Sequence, residues 1–161
     1  MEKKVKDKSI RLIKETRVMT LAVSDNDIPW SSPVYFVFHG NNFYFFSNES
    51  SRHIQYAENG KIISASIFQD SDQMDRIFGF QMSGKLEKVS KMALYLTIVK
   101  KYVTKFSFLK QIFGAQIIEN KDFFLEKFKS HLYCFYPDII FLSDNSKTTE
   151  KRAKIDLSKI A

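Results

Sequence analysis

The chain has 161 residues, the length of one domain. Its 44% hydrophobic and 27% charged residues exclude a disordered chain, and 5 glycines and 3 prolines exclude a collagen-like or linker-rich one. Aromatic content of 15%, with 16 Phe, points to a ring-lined core or pocket, whereas the net charge of +7 points to an anionic partner.

In chain order, residues 3–15 predict a helix, with Val5, Ile10, Leu12 and Ile13 on one stripe. Val18 to Val23 reads as a buried strand and Ser24 to Asp27 as a turn. Ile28 to Phe38 reads as a long second strand. Pro29 and Pro33 remove ladder donors, so this strand must be an edge, bulged or bent. His39 to Asn42 is a hairpin turn before a third strand, Phe43 to Ser47, and these three strands are expected to form an antiparallel meander. Asn48 or Ser50 is expected to cap a helix of about ten residues ending at Asn59-Gly60.

A fourth strand runs from Lys61 to Phe68. A fifth, Arg76 to Val89, is interrupted by Gly79 and Gly84, which mark a bulge, a barrel corner or a close ligand approach. Ser90 caps a helix running to about Phe106, and 107–130 read as helical with a break at Gly114. The last strand, Leu132 to Ser143, bends at Pro137-Asp138, and 144–154 read as a polar tail. The expected fold is α+β: a six-stranded antiparallel barrel in one domain, 1–161, with flanking helices and a helical insertion at about 91–130. Its core is expected to hold Phe36, Phe38, Phe43, Phe45, Phe46, Phe68 and Phe80.

The charge is uneven. Residues 1–14 hold six basic side chains against two acidic, 85–110 seven against one, and 15–84 four against eight. Both basic segments read as solvated helix faces. A nucleic-acid surface should interleave Arg and aromatics with the lysines, and Arg is scarce. Cys134, the single cysteine, lies in an apolar run and reads as buried packing. His39, His53 and His131 share no metal-ligand spacing, and no nucleophile elbow or phosphate-binding glycine loop is present. Met1-Glu2-Lys3-Lys4 leads into no apolar segment, and no apolar run is long enough to span a bilayer, so a cytoplasmic location is expected.

The informative segment is Phe43-Tyr44-Phe45-Phe46-Ser47-Asn48-Glu49-Ser50-Ser51-Arg52-His53. A strand ends, short donors follow, and a helix opens on Arg-His. Cations in a first turn oppose the helix dipole, and a bound anion removes that conflict. Arg52 supplies a bidentate fork suited to phosphate, with Ser47 and Ser51 as further donors. Upstream, Pro29-Trp30-Ser31-Ser32-Pro33-Val34-Tyr35-Phe36 has poor strand formers that expose backbone groups able to read a planar heterocycle. Plain capping and a proline-guarded edge are the competing readings of these two segments.

The ordered set resembles the FMN-binding split-barrel superfamily, the pyridoxamine 5′-phosphate oxidase-like group, over roughly residues 10–90. It comprises T-L-A-V, P-W-S-S-P-V-Y-F, F-Y-F-F-S-N-E-S-S-R-H, N-G-K and G-F-Q-M-S-G-K-L-E. The nearest likeness is to its small uncharacterised flavoprotein branch.

The resemblance implies a homodimer with FMN in the cleft between subunits. It places Ser31, Ser32, Pro33, Val34 and Tyr35 along the isoalloxazine, and Phe46 and Ser47 near the ribityl-phosphate. It puts Arg52 and His53 on the phosphate and lets Gln81 reach the flavin across the cleft. The pyridoxal-phosphate-binding Arg and Tyr set of the oxidase has no match here. The function read from this is a flavin-dependent oxidoreductase of a small-molecule substrate, with no catalytic side chain nominated because the cofactor carries the redox chemistry. Two alternatives stand beside it: a non-catalytic module holding flavin, deazaflavin or haem, and an anion- or nucleic-acid-binding barrel using Lys91 to Lys110.

Overall fold

The structure is a computed structural model that describes residues 3–146 and 152–160. Helix α1 (Lys3–Glu15) buries Val5, Ser9, Leu12 and Ile13, one stripe at helical spacing. β1 (Val18–Asp25) turns Met19, Leu21 and Val23 inward. Asn26 and Asp27 then take positive φ, 47° and 61°, in a two-residue hairpin to β2 (Ile28–Tyr35). The strands that follow are β3 (Val37–His39), β4 (Asn42–Ser47), β5 (Ile63–Gln69), β6 (Phe78–Lys88), β7 (His131–Asp144) and β8 (Arg152–Lys154). All ladders are antiparallel, in the order β2-β1-β5-β6-β7-β4-β3, with β8 on the outer half of β7.

This is the expected antiparallel curled sheet with flanking helices, but with eight strands among the described residues rather than six. The long second strand divides at Phe36. Its first half pairs with β1 and its second with β4, so the two edges of the sheet are consecutive in the chain. That junction curls the sheet on itself, and the three-strand meander is replaced by two separate hairpins. The prolines lie on an edge strand, where a missing donor is tolerated. β8 forms within the expected polar tail, of which 147–151 lie outside the described residues.

Gly84 sits where the register shifts against β7, opposite Pro137. A Cβ there would lie 2.0 Å from the Tyr136 carbonyl oxygen, so the bulge requires glycine. The expected ten-residue helix after Ser51 is only α2 (Arg52–Gln55). Its hydrogen bonds change from four-residue spacing at Tyr56 to three-residue spacing at Ala57 and Glu58. Asn59 and Gly60 then take positive φ and reverse the chain into β5.

Two cores result. One lies inside the barrel around Phe36, Phe43, Phe45, Phe80 and Phe135, sealed by α1. The other lies outside, where α3 (Met92–Lys105), α4 (Ser107–Phe113), α5 (Gln116–Glu119) and α6 (Phe123–Phe128) cover β3, β4 and the first half of β7. Phe46 belongs to this second core and Phe68 is 61% exposed, so neither fills the barrel as expected. Strand alternation decides both: each points away from the barrel axis. Cys134 is buried in the second core, where desolvation pushes its thiol up to about 11 and leaves it unreactive.

The other half of the outer face carries no helix. Along it, Pro33, Thr20, Ser66, Gln81 and Phe141 form one cross-strand row. Ser31, Ala22, Ser64, Ser83 and Ile139 form the next.

Candidate functional site

The end of β4, the turn after it and α2 bring together Ser47, Ser51, Arg52 and His53. Ser47 points inward because it follows the phase of Phe43 and Phe45. Its Oγ lies 2.8 Å from His53 Nε2 and 3.4 Å from Ser51 Oγ. Burial disfavours the imidazolium and lowers the His53 pKa, so the ring stands neutral near pH 7. The ring is the hydrogen-bonding partner of the Ser47 hydroxyl.

Arg52 is exposed and has no carboxylate partner among the described residues. Its guanidinium carbon lies 4.3 Å from the centroid of the Trp30 ring. Trp30 in turn donates from Nε1 to Ser32 Oγ at 2.9 Å. A cation over an aromatic face is attracted by the ring without losing its charge, so Arg52 stays able to bind an anion. Trp30 is the site residue that sequence reasoning passed over. The signal was the lone Trp of the chain, on the strand beside the basic pair.

The remaining sequence-derived residues separate by strand phase. Ser32 and Val34 are buried inside the barrel, whereas Ser31, Pro33 and Tyr35 face outward. The Tyr35 carbonyl is held by the Tyr102 hydroxyl of α3 at 2.9 Å. The Phe46 ring stacks on Phe124 at 3.7 Å, on the opposite face of β4 from Ser47, and is not brought to the cluster. Gln81 is exposed in the same outward row as Pro33, but β1 and β5 lie between them. Three strand spacings put the two about 14 Å apart. Among the described residues no group of three or more His, Cys, Asp or Glu could hold a metal ion, and no helix is long and apolar enough to cross a membrane.

A phosphomonoester fits this donor set. Arg52 offers an uncompensated planar cation, Ser51 precedes it in the chain, and the Ser47 hydroxyl lies 3.4 Å from that of Ser51. The fold is a split β-barrel with flanking helices. The comparisons agree: the family profile described as pyridoxamine 5′-phosphate oxidase matches residues 6–106, and the chain belongs to that family.

A UPF0306 protein of Pasteurella multocida is 26% identical over 87 residues, covering 53% of this chain and 56% of that protein. The chain thus spans little more than half the length of this curated relative. Among solved structures, a general stress protein 26-related protein from Clostridium acetobutylicum, described as of the pyridoxinephosphate oxidase family, superposes with a TM-score of 0.63 at 13% identity over 100% of both chains. The haem storage protein HutZ from Vibrio cholerae gives 0.61 at 18%, covering 90% of this chain and 98% of that one. A FAD-binding protein from Mesorhizobium loti gives 0.61 at 12%, covering 88% and 94%.

Proposed function

We propose that the chain is one split-barrel domain, with its helical segment at about 91–130 as an insertion, that binds FMN as a homodimer and serves a flavin-dependent oxidoreduction. Arg52 takes the phosphate, with Ser47 and Ser51 donating. Neutral His53 holds the Ser47 hydroxyl in place. The β2 run from Ser31 to Tyr35 borders the isoalloxazine, and the flavin supplies the redox chemistry.

The observation that supports this reading is the uncompensated Arg52 guanidinium, 4.3 Å from the Trp30 ring centroid, directly after Ser51 in the chain. The homodimer is supported by the distribution of the remaining residues. Gln81 lies three strands from the β2 run of its own chain, on a helix-free outer face that also exposes Phe68, Ile139 and Phe141. A second copy on that face would cover these side chains and bring its Gln81 to the flavin.

A second reading is a cofactor-holding module without turnover, supported by the fold likeness to a haem storage protein. An absorption spectrum of the purified protein from 350 to 500 nm separates flavin from haem. Titration with FMN should quench flavin fluorescence at one flavin per chain. An unchanged fluorescence signal over the titration removes the flavin reading. Oxidation of reduced nicotinamide in the presence of an acceptor distinguishes enzyme from module.

A further inference from the structure

A groove of about 510 Å³ runs between α1 and α3 and shares no lining residue with the Arg52 cluster. Its volume falls in the range of small-molecule sites. The floor is apolar, formed by Ile13, Val37, Phe38 and Ile160, and the rim carries Lys14, Lys100, Lys101 and Lys105. None of the four lysines has a carboxylate partner among the described residues, and no acidic side chain lines the groove.

Lys105 is the unusual member. It is half-buried, with Nζ 3.8 Å from the centroid of the Phe36 ring, and it donates to the Ile13 carbonyl at 3.2 Å. An ammonium carries three donors, and this is the one hydrogen bond it makes among the described residues. Two donors are therefore left at the edge of an apolar groove, surrounded by cations.

We propose that this groove binds a small organic acid with an extended apolar body, of the fatty-carboxylate class, with its carboxylate on Lys105 and its chain on the Ile13–Phe38 floor. Charge complementarity selects the anion, since a carboxylate would relieve the mutual repulsion of four lysines. The concave apolar floor selects the body, which inorganic phosphate or a nucleic-acid backbone would leave uncovered. The confined volume favours a free acid over a bilayer surface. The inference is independent of the flavin reading.

Burial pushes Lys105 down to about 8, with Arg17 adding to the effect. Among the described residues the charged groups that line the groove or act on Lys105 are Lys14, Arg17, Lys100 and Lys101, all cations. A bound carboxylate opposes both causes and restores the charged form, so binding at pH 9 should take up about one proton.

The test is calorimetric titration of the full-length protein with monomeric dodecanoate. Dodecanol, dodecyltrimethylammonium and acetate serve as controls. One dodecanoate per chain is expected, at least tenfold tighter than any control. Proton uptake at pH 9 should appear as a dependence of the heat on buffer ionisation. Lys105→Met should weaken dodecanoate at least tenfold and abolish the uptake, and the surface double variant Lys100→Ala/Lys101→Ala, which leaves the core untouched, should weaken it about threefold. Equal binding of dodecanol or the cationic chain overturns the proposal. So does an affinity that neither variant changes, or binding to anionic phosphatidylglycerol vesicles without binding of monomeric dodecanoate.

Discussion

The Arg52 guanidinium lies over the Trp30 ring, 4.3 Å from its centroid, and so joins the edge strand β2 to the short helix α2. The contact holds the cation in place without neutralising it. Arg52→Ala should weaken FMN by about 1.5–3 kcal/mol, the range for a hydrogen bond to a charged group. Trp30→Ala should cost about 0.5–1 kcal/mol through loss of the cation–π contact. Fluorescence titration of each variant measures both, and an Arg52→Ala protein that binds FMN normally removes this residue from the site.

The open face predicts an oligomer whose disruption also removes cofactor. Phe141→Asp places a charge in the row of Gln81, where a second copy would bury it. Sedimentation should show a dimer for the native chain and a monomer for the variant, with flavin affinity reduced at least tenfold. A native chain that sediments as a monomer contradicts the shared cleft.

His53 makes the fold acid-sensitive. Its pKa is lowered by burial, so below pH 6.5 the unfolded chain takes up a proton that the folded chain resists. Stability is full above that pH and falls as pH drops toward the folded pKa. Urea midpoints measured from pH 7.5 to pH 5 should decline. The decline should be shallower in His53→Gln, which keeps a hydrogen-bonding group near the Ser47 hydroxyl but cannot titrate.

Lys105 acts at the other end of the pH range. Held at about 8 against an unfolded value near 10.5, it binds a proton in the unfolded chain and not in the folded one between those values. Stability attributable to it therefore rises with pH across that window, by up to on the order of 3 kcal/mol. The difference between native and Lys105→Met unfolding free energies should follow this slope. At pH 7 the Met variant should be the more stable, since it removes a desolvated charge and keeps the packing on Phe36.

Gly84→Ala should destabilise by about 3 kcal/mol or more, because its Cβ would meet the backbone of Tyr136 rather than a side chain able to move. Gly60→Ala meets no atom within 4 Å and should cost about 1 kcal/mol, from its positive φ alone. Thermal unfolding of the two variants should rank them in that order.

The local elements were largely legible in the sequence. α1, β1, both β-hairpin turns and the break at Gly114 follow from side-chain periodicity and from residues that accept positive φ, which are properties of neighbours along the chain. The Ser47–His53 segment also stood out, because cations and short donors gathered where a strand meets a helix. The order of the sheet was not legible. Phe36 separates two strands that form opposite edges of the sheet, and nothing within a few residues of it encodes which partner each half will find. Phe46 was misplaced for the same reason: alternation shows that it opposes Ser47, but only α3 and α6 decide that its face is covered.

The sequence by itself determined an antiparallel barrel with helices and a cationic, hydroxyl-rich turn after the fourth observed strand, because both follow from local patterning. Only the tertiary structure decided where the charge acts. The excess of lysine reads as solvated helix faces when each helix is taken alone. Placing α1 beside α3, with Lys105 donating to the Ile13 carbonyl, brings Lys14 and Lys105 to one groove and strips water from Lys105. Desolvation depends on neighbours distant in the chain, and no local pattern reports it.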